Sequence, residues 1–122
     1  SLEVEPEKIT FNAMDEALLK RAMAIVEKNM DNIEFSTDEF AREMNMSRSN
    51  LHLKLKAITG ESTIDFIRKI RFNEAAKLLK DGRYTVAEVS TMVGFNTPSY
   101  FATSFKKYFG CLPTEYIKKS KG

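Results

Sequence analysis

Two stretches of this 122-residue chain repeat one another in kind. At a shift of 49, Phe35 falls on Tyr84, Ser36 on Thr85, Glu39 on Glu88, Phe40 on Val89, Met44 on Val93 and Met46 on Phe95. One extra residue in the following turn changes the shift to 50, where Ser47 falls on Thr97, Leu51 on Phe101, Leu55 on Phe105, Lys56 on Lys106 and Gly60 on Gly110. Each copy reads as a short capped helix, a tight turn and a second capped helix that stops at glycine. Ser36 with Glu39, and Thr85 with Glu88, have the spacing of a capping box, in which hydroxyl and carboxylate each satisfy a backbone N–H of the first turn. Ser47 and Thr97 suit N-caps, and Pro98 suits a first helical position, where a missing N–H does no harm. Two helices joined by about four residues form a helix-turn-helix, whose second helix fits the DNA major groove.

Helical spacing extends over the rest of the chain. Leu18, Leu19, Ala22, Met23, Ile25, Val26 and Met30 predict a first helix from Asp15, with Asp15 and Glu16 at the positive end of its dipole. Ser62 with Asp65 opens a longer run through Phe66, Ile67, Ile70, Ala75, Ala76, Leu78 and Leu79, ending near Gly82. Pro113 starts a last short helix carrying Tyr116 and Ile117. No period-two segment predicts a strand. The expected fold is all-α with about seven helices: a linker remnant over 1–14, a first helix-turn-helix subdomain over 15–60, a linker helix over 61–82 and a second helix-turn-helix subdomain over 83–122.

Nine Phe and six Met supply core, while five Gly and three Pro are too few for a disordered chain. No apolar run is long enough for a bilayer and no signal-peptide pattern opens the sequence, so a cytoplasmic location is expected. Cys111 alone cannot form an internal disulfide, and His52 is the one histidine, too few ligands for a Cys/His zinc site. With no phosphate loop and no nucleophile arrangement, neither enzyme chemistry nor a cofactor is expected. The net charge of +2 conceals a division after Asn45. Residues 1–45 hold five Lys/Arg against eleven Asp/Glu, a net −6, and residues 46–122 hold fourteen against six, a net +8. The basic part has the electrostatic footprint of a polyanion binder. A repeat that only builds a core is the competing reading; duplicated caps, duplicated glycines and the charge division together favour double-stranded DNA.

These residues also resemble the AraC/XylS-type transcription regulators, from Asp15 to Ile117. The second unit of that family reads as an RL-x-x-A-x-x-LL helix, a capped short helix, a GF turn, SYF, then FKK, Gly and Pro. This chain carries Arg71, Phe72, Ala75, Leu78, Leu79, Val86, Val89, Gly94, Phe95, Ser99, Tyr100, Phe101, Phe105, Lys106, Lys107, Gly110 and Pro113. The runs IVEKNMDN and MSRSNLHLKLKAITG further resemble the C-terminal domains of hybrid two-component regulators of Bacteroidetes. That resemblance implies a transcription regulator with receiver and sensor domains upstream, carbohydrate-utilisation operons as the usual targets, RNA polymerase as a further candidate partner, and dimerisation through domains outside this chain. It also allows an inner-membrane anchor in the full-length protein.

In the third helix the stripe opposite Leu51, Leu55 and Ile58 contains Ser49, His52, Leu53 and Lys56; in the sixth, the stripe away from Phe101 and Phe105 contains Ser99, Ala102, Thr103 and Lys106, led by Pro98. Ser49, His52, Leu53, Pro98, Ser99, Ala102 and Thr103 are the candidate base contacts, through polar atoms or by packing on thymine methyl groups. Leu53 and Thr103 stand where many members of the family carry Arg, which points to softer or more hydrophobic reading. Ser47, Arg48, Lys54, Lys56, Thr97, Lys106 and Lys107 are the candidate phosphate contacts. Phe95, Tyr100, Phe101, Tyr108 and Phe109 read as core in preference to a stacking platform for single strands. A helical protein-interaction module, docking through the acidic first helix, is the rival of a different class.

Overall fold

The computed structural model describes residues 13–121. Seven helices follow in order: α1 (Ala13–Lys28), α2 (Thr37–Glu43), α3 (Arg48–Thr59), α4 (Thr63–Asp81), α5 (Val86–Met92), α6 (Pro98–Phe109) and α7 (Pro113–Lys121), with no strand among the described residues. The all-helical expectation holds. Most of the expected linker remnant lies outside the described residues, but Ala13 and Met14 already belong to α1. At its other end α1 stops at Lys28, so Asn29 and Met30 form the following turn instead of its last residues. The buried line of α1 is Ala22, Ile25 and Val26, while Met23, expected on that stripe, is exposed.

The caps are built by side chains, with one correction. Thr85 and Glu88 form the full box: the Glu88 N–H donates to Thr85 Oγ1 at 3.0 Å and the Thr85 N–H donates to Glu88 Oε1 at 2.8 Å. In the first unit, Ser36 Oγ accepts the Glu39 N–H at 3.2 Å, but the Glu39 carboxylate turns to the Arg42 guanidinium instead of back to the cap. The side chain three positions on was free to choose, because Arg42 stands one turn along the same helix face. Ser47, Ser62 and Thr97 each accept one first-turn N–H at 3.1 Å.

Two apolar clusters form, and α4 is common to both. The first gathers Ala22, Val26, Phe35, Phe40, Met44, Leu51 and Leu55 around Phe66 and Ile67 of α4; the second gathers Val89, Val93, Phe95, Phe101 and Phe105 around Phe72, Ala75 and Leu79 of α4. The repeat pairs are buried in step: Phe40 and Val89, Leu51 and Phe101, Leu55 and Phe105 are each 0–1% exposed. Rings dominate the second cluster, where Phe72 lies 5.4 Å from Phe95, 6.3 Å from Phe105 and 4.9 Å from Tyr108.

Arg71 ties the two halves together. It stands on α4 in line with Ile67, Ala75 and Leu79, and it is 9% exposed. Its guanidinium donates to the carbonyl oxygens of Asn32 at 2.9 Å, Asn29 at 3.4 Å and Gly94 at 3.4 Å. Asn29 follows the last residue of α1 and Gly94 closely follows α5, so one cation meets the negative dipole ends of two helices from different units. Burial draws the Arg71 pKa below its usual value, and the partners that hold the charge are carbonyls rather than carboxylates. Gly94 is obligatory here: φ is +83°, and an added Cβ would stand 2.6 Å from the Met30 carbonyl oxygen and 2.8 Å from Arg71 Cζ.

Gly94→Ala is therefore expected to destabilise the fold by about 2–5 kcal/mol, combining left-handed strain with overpacking. Arg71→Met, which removes a charged donor from three carbonyls and leaves those of Asn29 and Asn32 with their backbone N–H partners alone, is expected to cost about 2–3 kcal/mol. Thr85→Ala is expected to cost about 1 kcal/mol through the lost cap. Urea unfolding of the three variants checks the ranking, and a Gly94→Ala protein as stable as the parent would contradict the close approach.

Candidate nucleic-acid interface

The turn inside each unit reverses the chain by the same device. Asn45 takes φ +59° and Gly94 φ +83°, at equivalent places in the repeat. The Met46 N–H donates to the Ala41 carbonyl at 3.0 Å, and the Phe95 N–H to the Ser90 carbonyl at 2.9 Å. Asn enters the left-handed region more readily than most side chains, which makes it a workable substitute where no neighbour crowds the turn. Each turn aims its following helix, α3 or α6, so that Leu51 and Leu55, or Phe101 and Phe105, face inward.

The opposite faces lie open. Ser49, His52, Leu53 and Lys56 of α3 are all exposed, Leu53 to 65%. Pro98, Ser99, Thr103 and Lys106 of α6 are exposed as well, whereas Ala102 is half-buried and contributes only part of a methyl surface. The Thr103 hydroxyl donates to the Ser99 carbonyl at 3.0 Å, so toward a partner it offers its oxygen lone pairs and its methyl group. His52 edges a shallow recess with Thr37, Arg48 and Ile64.

The basic candidates do not share one surface. Lys56 and Lys106 stand at equivalent exposed positions of the repeat, and Ser47 and Thr97 present the N-terminal turns of α3 and α6. Arg48 Nε lies 3.1 Å from Asp38 Oδ1, and both side chains are mostly exposed, so the pair is weak and easily exchanged. Lys54 Nζ lies 3.7 Å from Asp15 of α1, on the flank of α3 that meets the first helix. Lys107 turns away from Lys106 into a cleft against α4, together with Tyr100, Ser104 and Tyr108. Tyr100 and Tyr108, expected in the core, are about half exposed, while Phe95 and Phe101 are buried as expected.

Two features escape a reading of composition and stripe alone. The left-handed role of Asn45 is legible only by setting it against Gly94 at the shift of 49. The clamp at Arg71 leaves a clearer trace, an arginine at the i+4 step between Ile67 and Ala75 on an otherwise apolar line. No helix among the described residues is long and apolar enough to cross a membrane.

A helix-turn-helix domain family matches residues 40–119. The chain is 40% identical over 113 residues to histidine kinase P4 of Formosa agariphila, a likeness covering 93% of this chain and 8% of that protein. It is 32% identical over 102 residues to the HTH-type transcriptional regulator MtrA of Neisseria gonorrhoeae, covering 82% of this chain and 34% of that protein. The chain thus spans a minor part of both curated relatives. Among solved structures, the C-terminal domain of AraT, a response regulator from Geobacillus stearothermophilus, is similar with a TM-score of 0.77 at 30% identity, covering 84% of each chain.

If the outer faces of α3 and α6 serve a partner and not the fold, truncating them leaves stability alone. Leu53→Ala is expected to change unfolding free energy by no more than about 0.5 kcal/mol. Leu51→Ala, two residues away and 1% exposed, is expected to cost about 2–5 kcal/mol. Equal losses in thermal melts of the two variants would place Leu53 in the packing.

Proposed function

This chain belongs to the AraC-type helix-turn-helix family of DNA-binding domains, and on that premise we propose that it is the sequence-reading output unit of a two-component signalling protein, its α3 and α6 entering adjacent major grooves of one duplex. The observation that carries this reading is the pair of equivalent exposed helix faces mounted on one shared helix. At ~1.5 Å per residue the 19 residues of α4 make a rod of roughly 28 Å, comparable with the ~34 Å that separates successive major-groove sites on one face of B-form DNA. The Arg71 clamp keeps both units in one frame, so a single chain presents two probes where a simple helix-turn-helix protein needs a dimer.

Within this reading, residues 15–60 and 83–122 are the two reading subdomains and 61–82 the connection between them. Ser49, His52 and Leu53 on one side, and Pro98, Ser99, Ala102 and Thr103 on the other, read base edges. Ser47, Arg48, Lys56, Thr97 and Lys106 hold phosphates and fix register, with Lys54 and Lys107 on the flanks. The output role draws on the two signalling relatives: AraT is a response regulator, and the likeness to histidine kinase P4 covers a small share of a much longer protein. Receiver and sensor modules then belong to parts of the protein beyond this chain, the domain works in the cytoplasm, and contact with RNA polymerase or pairing with a second copy follows from the full-length assembly.

Selection of bound duplexes from a random pool, followed by competition titrations against mutated sites, tests the reading. His52→Ala and Thr103→Ala are expected to change which bases are preferred, each in a different half of the site. Lys106→Ala is expected to weaken all duplexes alike and to lower the steepness of the salt dependence by about one phosphate contact. Unaltered base preference in both His52 and Thr103 variants would remove these faces from the interface. A helical protein-interaction module predicts instead an affinity that barely responds to salt.

A further inference from the structure

Between the two reading helices lies a surface on α4 whose two ends reach the candidate contacts Arg48, His52 and Lys107 but whose middle holds none of them. Three shallow recesses join end to end along the exposed face of α4. The first holds Arg48 and His52 of α3 and reaches Ile64; the second shares Thr37 and Ile64 with it and runs on to Arg68; the third starts from Arg68 and ends at Tyr100 and Lys107 of α6. Arg68 is the residue common to the second and third recesses, so it marks the middle of the path from one unit to the other. Its side chain is exposed, and its Nη2 donates to Tyr100 Oη at 3.5 Å, which links it to the leading end of α6. None of the ion pairs among the described residues engages Arg68; the nearby Glu61 pairs with Lys69 at 3.6 Å.

We infer that this path seats the sugar–phosphate backbone of duplex DNA where it crosses from one occupied major groove to the next, with Arg68 as its central phosphate contact. The inference rests on the two-groove reading and adds a third point of attachment to it. When two helices enter successive major grooves on one face, the strands bordering the intervening minor groove must pass over whatever connects those helices, and here that element is the first half of α4. Arg48, Arg68 and Lys107 space positive charge along the path, and Ile64, 52% exposed, offers an apolar surface to deoxyribose between two of them. A guanidinium suits this task because its planar fork can bond two phosphate oxygens while a tyrosine hydroxyl orients it. Asp65 and Glu61 edge the third recess and oppose a phosphate there, so the contact is tuned by a carboxylate as well as made by a cation.

The test measures affinity of the parent protein, Arg68→Ala, Arg68→Lys and Asp65→Asn for one selected duplex and for a scrambled one over a range of salt. Arg68→Ala is expected to weaken both duplexes about tenfold at low salt and to reduce the log–log salt slope by about 0.9, the loss of one neutralised phosphate. Arg68→Lys is expected to keep the slope while losing part of the affinity, and Asp65→Asn is expected to tighten both duplexes. Melting temperatures of the variants separate these effects from misfolding. If Arg68→Ala and Asp65→Asn bind both duplexes with the parent's affinity and slope, the path carries no backbone and the inference fails while the two-groove reading stands. If the parent protein binds no duplex, both fall together.

Discussion

A single buried guanidinium fixes how the two halves of this molecule relate. Arg71 stands where α1 ends and where the α5 turn begins, and it gives hydrogen bonds to carbonyls from both. Each of those carbonyls lies just beyond a helix end, and although Asn29 and Asn32 also accept backbone N–H groups from Asn32 and Phe35, the guanidinium brings positive charge to the negative ends of both helices. The cation thus draws together the ends of two helices that belong to different units. Met30, which follows α1, also packs against the second apolar cluster, so the same seam carries apolar contact. With the seam in place, the aim of α3 and α6 is a property of one rigid frame instead of two loosely tethered units.

Within that frame the repeat shows what is held fixed and what is free. The positions that face inward keep their burial although their side chains change, Phe40 for Val89 and Leu51 for Phe101. The hydroxyl caps and the left-handed turn keep their places with different residues, Ser36 for Thr85 and Asn45 for Gly94, although only Thr85 closes the full box. The outer faces share serine at Ser49 and Ser99 and lysine at Lys56 and Lys106, and differ between them, with His52 and Leu53 in one and Ala102 and Thr103 in the other. Packing constrains the inner stripes strongly, and the outer stripes are left to whatever partner they meet.

Much of this was legible in the chain itself, for identifiable reasons. Cap residues, apolar stripes and glycine stops act over one or two turns, so Ser47, Leu51, Leu55 and Gly60 mark α3 without help from the rest of the molecule. Properties that depend on a distant segment were not legible. Lys54 leans toward Asp15 across an interhelical gap and α1 gives up Asn29 and Met30 to the seam, while Glu39 faces a local choice between the cap and Arg42 that spacing alone leaves open. Ala102 is half-buried although it shares a stripe with Thr103, since helical periodicity ranks positions by angle and not by how far a neighbouring element reaches. The half-exposed Tyr100 and Tyr108 follow the same logic: aromatic content predicts core, but each ring here covers the core from its rim, Tyr108 stacked on Phe72 at 4.9 Å.

The division of α4 between two clusters also governs how the molecule comes apart. Ile67 serves one cluster and Phe72 the other, a separation of about a turn and a half along a helix with no interruption. Neither unit owns a complete interior, so a fragment cut on either side of α4 would leave one set of apolar side chains without a floor. The chain should consequently unfold in a single cooperative step, with amide hydrogens in the middle of α4 the last to exchange with solvent, even though its interior is divided between two clusters.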